Sequence, residues 1–207
     1  MKVLLLNGSP KANGNTNRAL EEIAKTLQTE GIETEILHVA SKVTRGCIGC
    51  GGCKGTGRCV FGNEDMVNEA LEKMEAADGL IVGSPVYFAS PNGSLISFLD
   101  RFFYAGKTFT HKPAAAISVA RRAGTVASFD VMNKYFTIRQ MPVVSSRYWN
   151  DAFGGAPGQV EQDEEGMQVM RELGRNMAWL MRCIEAGRQA GIEAPAKEKP
   201  VMTNFIR

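Results

Sequence analysis

Four cysteines are crowded into one short, glycine-rich stretch of the chain. Cys47, Cys50, Cys53 and Cys59 have the spacing C-x2-C-x2-C-x5-C. Thiols this close together are typical of metal binding or redox chemistry and differ from the pattern of a disulfide framework. The interspersed glycines exclude a helix and let the backbone wrap tightly. Residues 46–60 are therefore a candidate metal or redox loop of a protein that works in a reducing cytoplasm.

A second candidate site follows the apolar run of residues 2–7 (K-V-L-L-L-N), which is long enough for a buried strand. Residues 8–17 are rich in Gly, Ser, Asn and Thr, and a helical apolar pattern begins at Leu20. Strand, polar loop and helix together favour phosphate binding, because backbone N–H groups and the positive end of the helix face the same point. The loop matches neither the ATPase motif nor the dinucleotide motif. An ordinary connection with Thr16 as helix N-cap is the alternative.

Composition limits the class of protein. The chain has 207 residues and a formal net charge of +2, which suggests one α/β domain and gives no sign of a nucleic-acid or membrane partner. The first apolar run follows a single lysine and has no cleavage-site pattern, so we expect no signal peptide and a cytoplasmic protein.

The elements that must position these loops are alternating strands and helices. After the first strand, apolar runs at residues 32–39, 79–83, 113–120 and 141–145 predict four more, with helical patterns between them. The sequence thus predicts a doubly wound, five-stranded parallel sheet in the order 2-1-3-4-5 with helices on both faces. Its ligand is expected at the carboxyl ends of strands one, three and four. In the last helix we expect Trp179 and Cys183 on the buried face, followed by a loosely ordered tail over residues 190–207.

The loops at those three strand ends resemble those of NADPH-dependent FMN reductases of the flavodoxin-like superfamily. The matching stretches are N-G-S-P-K-A-N-G-N-T at residues 7–16 and G-S-P-V-Y-F-A-S-P-N-G-S-L-I-S-F-L-D-R at residues 83–101. The resemblance continues through R-Y-W-N-D-A-F-G at residues 147–154. It implies that the FMN phosphate is held by Ser9, Lys11, Asn15, Thr16 and Asn17. It also implies that the isoalloxazine ring is lined by Pro85, Val86, Tyr87 and Phe88, with Arg121, Arg122 and Gly124 on its pyrimidine side.

The cysteine loop resembles that of iron–sulfur flavoproteins, which bind a [4Fe–4S] cluster beside FMN. Cys47, Cys50, Cys53 and Cys59 would then be the cluster ligands. Two alternatives stay open, because four thiolates also suit zinc and similar cysteine-rich segments occur in metal-free flavodoxin-like reductases.

The resemblance implies an NAD(P)H-dependent FMN reductase. NAD(P)H, or ferredoxin if a cluster is present, would reduce the flavin, which passes electrons to a quinone or another small acceptor. The flavin carries the chemistry, so no catalytic side chain is expected. A flavodoxin-like electron carrier and a metal or redox sensor that uses the cysteine loop are the alternatives.

Two further expectations concern the surface. Four aromatic residues suggest an exposed patch and therefore a homodimer or homotetramer with the flavin near a subunit boundary: Phe103, Tyr104, Tyr148 and Trp149. Arg121 and Arg122 follow the fourth strand, where a fixed cation would stabilise the reduced flavin anion. Binding the extra phosphate of NADPH and simple solvation are the alternatives for this pair.

Overall fold

Strands and helices alternate through the computed structural model, which describes residues 1–43, 45–203 and 205. The strands are β1 (Lys2–Asn7), β2 (Glu33–His38), β3 (Gly79–Tyr87), β4 (Ser90–Pro91), β5 (Ala114–Ala120) and β6 (Asp151–Phe153). The α-helices are α1 (Asn15–Thr29), α2 (Val67–Ala76), α3 (Gly93–Ala105), α4 (Thr125–Ile138) and α5 (Glu164–Gln189), and a 3-10 helix spans Gln159–Gln162.

Five of the strands form a parallel sheet in the order β2-β1-β3-β5-β6, and the two-residue β4 pairs antiparallel with β3. With β4 set aside, this is the predicted doubly wound order 2-1-3-4-5, and the predicted fold class is confirmed. The order reverses between β1 and β3, and the crevice above such a reversal is where doubly wound proteins bind their ligands.

Alternating side chains of the central strands bury two apolar faces. Leu4 and Leu6 point into a cluster shared with α2, α3 and α4, whereas Val3 and Leu5 point into a cluster shared with α1 and α5. All four are fully buried, as a parallel sheet covered on both faces requires. Each large side chain buried in this way contributes about 1.5–3 kcal/mol. The sheet is therefore a rigid base for the loops at its edge.

The predicted fifth strand at residues 141–145 is wrong. Within the described residues, this segment pairs only through an isolated bridge between Val143 and Ala114. The edge strand is β6, which pairs with residues 118–120 of β5. The side-chain amide of Asn150 donates to the carbonyl of Ala116 at 3.1 Å. The side-chain N–H of Asn150 thus binds the carbonyl of Ala116, to which the backbone N–H of a continuing strand would otherwise donate.

The expected burial of three side chains is corrected as well. Trp179 is 66% exposed and Cys183 is exposed, although both were expected on the core face of α5. They lie two residues after the buried Met177 and Met181, which places them about 200° around the helix. Conversely, Phe103 of the expected surface patch is only 4% exposed.

Two findings concern the rest of the described chain. Residues 193–203 are exposed and contain no helix or strand. None of the helices that the structure describes has the combination of length and apolarity that crossing a bilayer requires.

Candidate functional site

Four loops meet above the carboxyl ends of β1, β3, β5 and β6. The backbone N–H of Gly8 donates to the carbonyl of Gly83 at 2.8 Å and joins the first loop to β3. A Cβ on Gly124 would lie 2.8 Å from Cα of Ala89, so the loop after β5 packs directly against the loop after β3. The N–H of Gly154 donates to the carbonyl of Ala120 at 2.9 Å and adds the loop after β6. The predicted meeting of three loops is thus observed, and a fourth loop joins them.

The loop of residues 8–14 is held by the buried side chain of Asn7. Its amide donates to the carbonyl of Ala12 and to Oδ1 of Asn17, both at 3.1 Å, and its Oδ1 accepts the N–H of Ser9 at 3.0 Å. The hydroxyl of Ser9 in turn accepts the N–H of Lys11 at 3.1 Å. The loop is therefore shaped by its own polar residues before any ligand binds.

The amino end of α1 faces this loop without a side-chain cap. Its N-cap is Gly14, not Thr16, and its first turn contains no acidic residue. By contrast, Asn92 caps α3 and Asp163 caps α5 through their side-chain oxygens. The first N–H groups of a helix have no partner within the helix, so the first turn of α1 presents backbone donors and a positive dipole end. This is the donor set that a phosphate group needs.

The side chains predicted to hold phosphate have different positions. Thr16 is 2% exposed in the first turn of α1, Ser9 is buried in the loop, and Lys11 is exposed. Asn15 donates both hydrogens of its amide to the carbonyls of Gly154 and Ala156, each at 2.9 Å. Its Oδ1 is buried and has no hydrogen-bond partner in the described structure.

Asn17 is also engaged inside the loop. Its amide donates to Glu21 at 2.7 Å while its Oδ1 accepts from Asn7. The loop of residues 8–14 and the first turn of α1 together form a cradle, and the side chains of Asn15 and Asn17 hold this cradle in shape. A ligand could still use the backbone N–H groups of these two residues.

Sequence reasoning missed the role of His38 here. Its Nε2 lies 2.6 Å from the carbonyl oxygen of Ser9, a contact in which the ring nitrogen must be the donor. His38 ends β2 directly beside Asn7 of β1. A polar residue at the carboxyl end of the neighbouring strand was the only sequence signal for this contact.

The residues predicted to line a flavin ring form a protruding hairpin. β3 turns into β4 through Phe88 and Ala89, whose φ angles are 53° and 56°. Two positive φ angles are typical of a type I′ turn, which strains residues other than glycine, and such strain clusters at functional sites. Tyr87 is 45% exposed and Phe88 is fully exposed, whereas Pro85 and Val86 are half-buried. Flat aromatic area is therefore available above the switch point, the crevice between β1 and β3 where the strand order reverses.

The loop after β5 leads to a second helix end without a side-chain cap. α4 begins after Gly124, whose φ is 90°, and no side chain caps it. Arg121 and Arg122 are exposed. Thr125 donates its hydroxyl to Oδ2 of the buried Asp151 at 2.8 Å. Burial raises the pKa of the Asp151 carboxyl above its ordinary value, and the hydrogen bond from Thr125 opposes this only in part.

The cysteine loop forms a separate cavity beside α3. All four thiols, Cys47, Cys50, Cys53 and Cys59, are free and line this cavity together with the buried Arg101. Across residues 1–43, 45–203 and 205, no three His, Cys, Asp or Glu side chains are arranged to hold one metal ion. A mononuclear zinc site needs its sulfurs within about 2.3 Å of a single point. The thiols share a cavity but not that geometry.

The sheet order and the loops gathered at its carboxyl edge define a flavodoxin-like α/β protein. Residues 1–156 match the family described as NADPH-dependent FMN reductase. An iron-sulfur flavoprotein of Methanocaldococcus jannaschii is 35% identical over 194 residues, which cover 89% of this chain and 100% of that protein. The chain therefore belongs to the NADPH-dependent FMN reductase family, a family of FMN-dependent oxidoreductases. The predicted family is confirmed.

Two solved structures share the fold. RosB with bound 8-demethyl-8-formylriboflavin-5'-phosphate has a TM-score of 0.70 at 18% identity, covering 100% of this chain and 94% of that chain. A flavodoxin from the domain Archaea has a TM-score of 0.60 at 14% identity, with coverages of 88% and 99%. At these identities the likeness shows the fold alone.

Proposed function

We propose that this protein binds FMN above the β1/β3 switch point and transfers electrons from NAD(P)H, or from a ferredoxin, to a quinone or another small acceptor in the cytoplasm. One observation supports this most strongly. The two helices that begin at the gathered loops, α1 and α4, lack side-chain caps. Their free N–H groups suit the phosphate of FMN and the pyrimidine edge of its ring, which becomes negatively charged when the flavin is reduced.

The phosphate would be bound at the amino end of α1. The backbone N–H groups of Asn15, Thr16 and Asn17 supply the positive dipole end, and the hydroxyls of Ser9 and Thr16 supply further donors. Lys11 is exposed at the rim and adds charge. The cradle fits the group because its shape is already fixed by hydrogen bonds and its helix end carries no competing carboxylate.

The ring would lie along residues 85–88. Pro85 has no N–H, whereas Val86 and later residues have backbone donors that can reach acceptors on the ring edge. Tyr87 and Phe88 supply flat apolar area. When bound, FMN supplies the redox chemistry, so the protein's part is to bind and orient the reactants. Because Phe88 is fully exposed, a flavin ring bound beside it would have one face open to solvent. We therefore expect the electron donor and the acceptor to bind at that face in turn, which gives ping-pong kinetics.

The pyrimidine side would face the loop of residues 121–125. Arg121 and Arg122 would stabilise the negative charge that reduction places on this edge, which favours two-electron chemistry. Both are exposed, so solvent weakens this effect, and binding the extra phosphate of NADPH is the competing role.

The four thiols would hold a [4Fe–4S] cluster as a second redox group. They fit by donor chemistry, since each thiolate of such a cluster binds a different iron and the sulfurs need not meet at one point. They line one cavity, and the Methanocaldococcus jannaschii relative is named an iron-sulfur flavoprotein. The cluster would relay electrons between an external donor and the flavin.

The test is an ultraviolet–visible spectrum of protein purified without oxygen. Stoichiometric FMN, and a broad shoulder that dithionite bleaches, are the expected results. Steady-state NADPH oxidation separates an oxidoreductase from a flavodoxin-like carrier, which would turn over poorly. Replacing the four cysteines by serine tests the alternative of a sensor. A reductase should retain NADPH oxidation after this substitution, whereas a sensor should lose its function. Protein that neither retains nor rebinds FMN would contradict the proposal.

We also propose that the protein forms a homodimer or homotetramer. Tyr104, Tyr148 and Trp149 are each more than half exposed, and the last two form an edge-to-face pair with centroids 4.8 Å apart. Exposed aromatic area of this kind usually marks an interface. Light scattering at micromolar concentration is the test, and a monomer would contradict the assembly.

A further inference from the structure

Arg101 is an arginine buried in the body of the protein and paired with a buried carboxylate. The side chains of Arg101 and Asp65 are 2% and 0% exposed, and Nη1 of Arg101 lies 2.5 Å from Oδ2 of Asp65. Nη2 donates to Oδ1 of Asp65 at 3.3 Å, which makes the contact bidentate, and Nη1 also donates to the carbonyl of Arg45 at 3.2 Å. The guanidinium is thus fixed on one side by contacts that do not use its Nε–H.

The Nε–H group of Arg101 contacts the cysteine loop. Nε of Arg101 donates to Sγ of Cys59 at 3.3 Å. The backbone of Cys59 is held as well, because its N–H donates to Oδ1 of the buried Asn68 at 2.9 Å and its carbonyl accepts from the Asn68 amide at 3.0 Å. Cys59 is therefore anchored to α2 and α3 through both backbone and side chain. Cys47 and Cys50 are exposed on the glycine-rich part of the loop.

The charges of this arrangement favour extra negative charge at the sulfur. Arg101 is a fixed cation here, because a guanidinium is not deprotonated in proteins and this one is held by Asp65 and by the carbonyl of Arg45. A charge with little solvent around it acts over several ångströms with little screening. Asp65 offsets that cation from the far side of the guanidinium, while Nε faces the sulfur.

We propose that Arg101 is a positioning residue that acts through Cys59 to raise the reduction potential of an iron–sulfur cluster held by the four cysteines, with Asp65 lowering it. This inference rests on the proposed function, which places a cluster in the loop. Reduction adds one electron to the cluster and neither makes nor breaks a bond. A fixed cation at one ligand stabilises the more negative, reduced form.

The experiment compares two buried substitutions with one on the surface. Arg101→Gln removes the cation, and Asp65→Asn removes the carboxylate. Arg58→Gln is the matched control, because Arg58 precedes Cys59 and pairs with Glu72 while its side chain is 48% exposed. Iron and sulfide analysis measures cluster content, and a redox titration followed by electron paramagnetic resonance measures its potential.

Opposite shifts are the expected result. At a fixed ambient potential, Arg101→Gln should lower the ratio of reduced to oxidised cluster about tenfold, which is about 59 mV for one electron, and Asp65→Asn should raise it. Arg58→Gln should leave the ratio within about twofold, because solvent screens an exposed charge. Arg101→Lys keeps the charge and should stay closer to wild type, which tests the inference even if Arg101→Gln does not fold.

Two results would overturn the inference, and they differ. Wild-type protein that contains no iron or sulfide after anaerobic purification and reconstitution overturns the cluster assignment, and the inference with it. A cluster whose potential is unchanged in Arg101→Gln, or moves the same way in Arg101→Gln and Asp65→Asn, overturns the role of Arg101 alone.

Discussion

Gly124 holds the contact between the loop after β5 and the loop after β3. Its φ is 90°, a conformation that residues with a Cβ rarely adopt. A Cβ at this position would lie 2.8 Å from Cα of Ala89 and 3.0 Å from Cγ1 of Val86. Because the first of these atoms is backbone, the loop that is proposed to line the flavin ring would have to move.

Gly124→Ala should therefore destabilise the protein and weaken FMN binding together. Left-handed backbone costs about 1–2 kcal/mol for alanine, and overpacking against a fixed neighbour adds about 1–3 kcal/mol. We expect the free energy of unfolding in urea to fall by about 2–5 kcal/mol. We also expect the FMN dissociation constant, measured by flavin fluorescence, to rise at least about tenfold, which corresponds to roughly 1.4 kcal/mol.

Gly31→Ala is the matched control, because Gly31 has a φ of 73° and nothing lies within 4 Å of its added Cβ. The free energy of unfolding of Gly31→Ala should fall by about 1–2 kcal/mol because of backbone strain, and its FMN affinity should not change. If the two variants lose equal stability and both bind FMN as wild type does, the packing of residues 121–125 against residues 84–92 does not shape the site.

Three more predictions concern the same edge of the sheet. Thr16→Ala should weaken FMN binding about tenfold or more, because a charge-assisted hydrogen bond is worth about 1.5–3 kcal/mol; unchanged affinity would refute the phosphate assignment. The raised pKa of Asp151 means that its stabilising contribution is largest below the ordinary value of 3.8 and falls as pH rises through the folded-state pKa. Asp151→Asn should therefore gain stability relative to wild type as pH rises above 3.8 in urea titrations, and a gap that does not change with pH would contradict this. Arg121→Gln and Arg122→Gln should lower the midpoint potential of the bound flavin, whereas a raised KM for NADPH alone would assign the pair to the nucleotide phosphate.

Local patterns were enough to predict the central elements and the loops that follow them. The uninterrupted apolar runs of β1, β3 and β5 belong to strands buried on both faces, and such runs need no distant partner to be recognised. The polar loop before α1 was visible for the same reason. The contacts of its side chains could not be predicted, because Asn15 reaches Gly154 and Ala156 across the fold. No local pattern shows where a side-chain amide points.

The errors came from tertiary contacts and from helical phase. β6 has three residues and includes the buried Asp151, so only its place beside β5 makes it a strand. Residues 141–145 are more apolar, yet Asn150 ends their pairing. Cys183 was misplaced although the helical period alone puts it on the opposite side of α5 from Met181.

The bridge from Asn15 to the loop after β6 affects the order in which the protein can assemble. The two ends of this contact are 139 residues apart in the chain, so on the ribosome the loop before α1 waits for its partner until the loop after β6 has been synthesised. FMN should therefore bind only after the last strand has docked, which makes the cofactor a reporter of a completed sheet. Excess FMN at about one hundred times its dissociation constant would then stabilise the whole sheet by about 2.7 kcal/mol. Flavin supply would thus change the fraction of the protein that is folded.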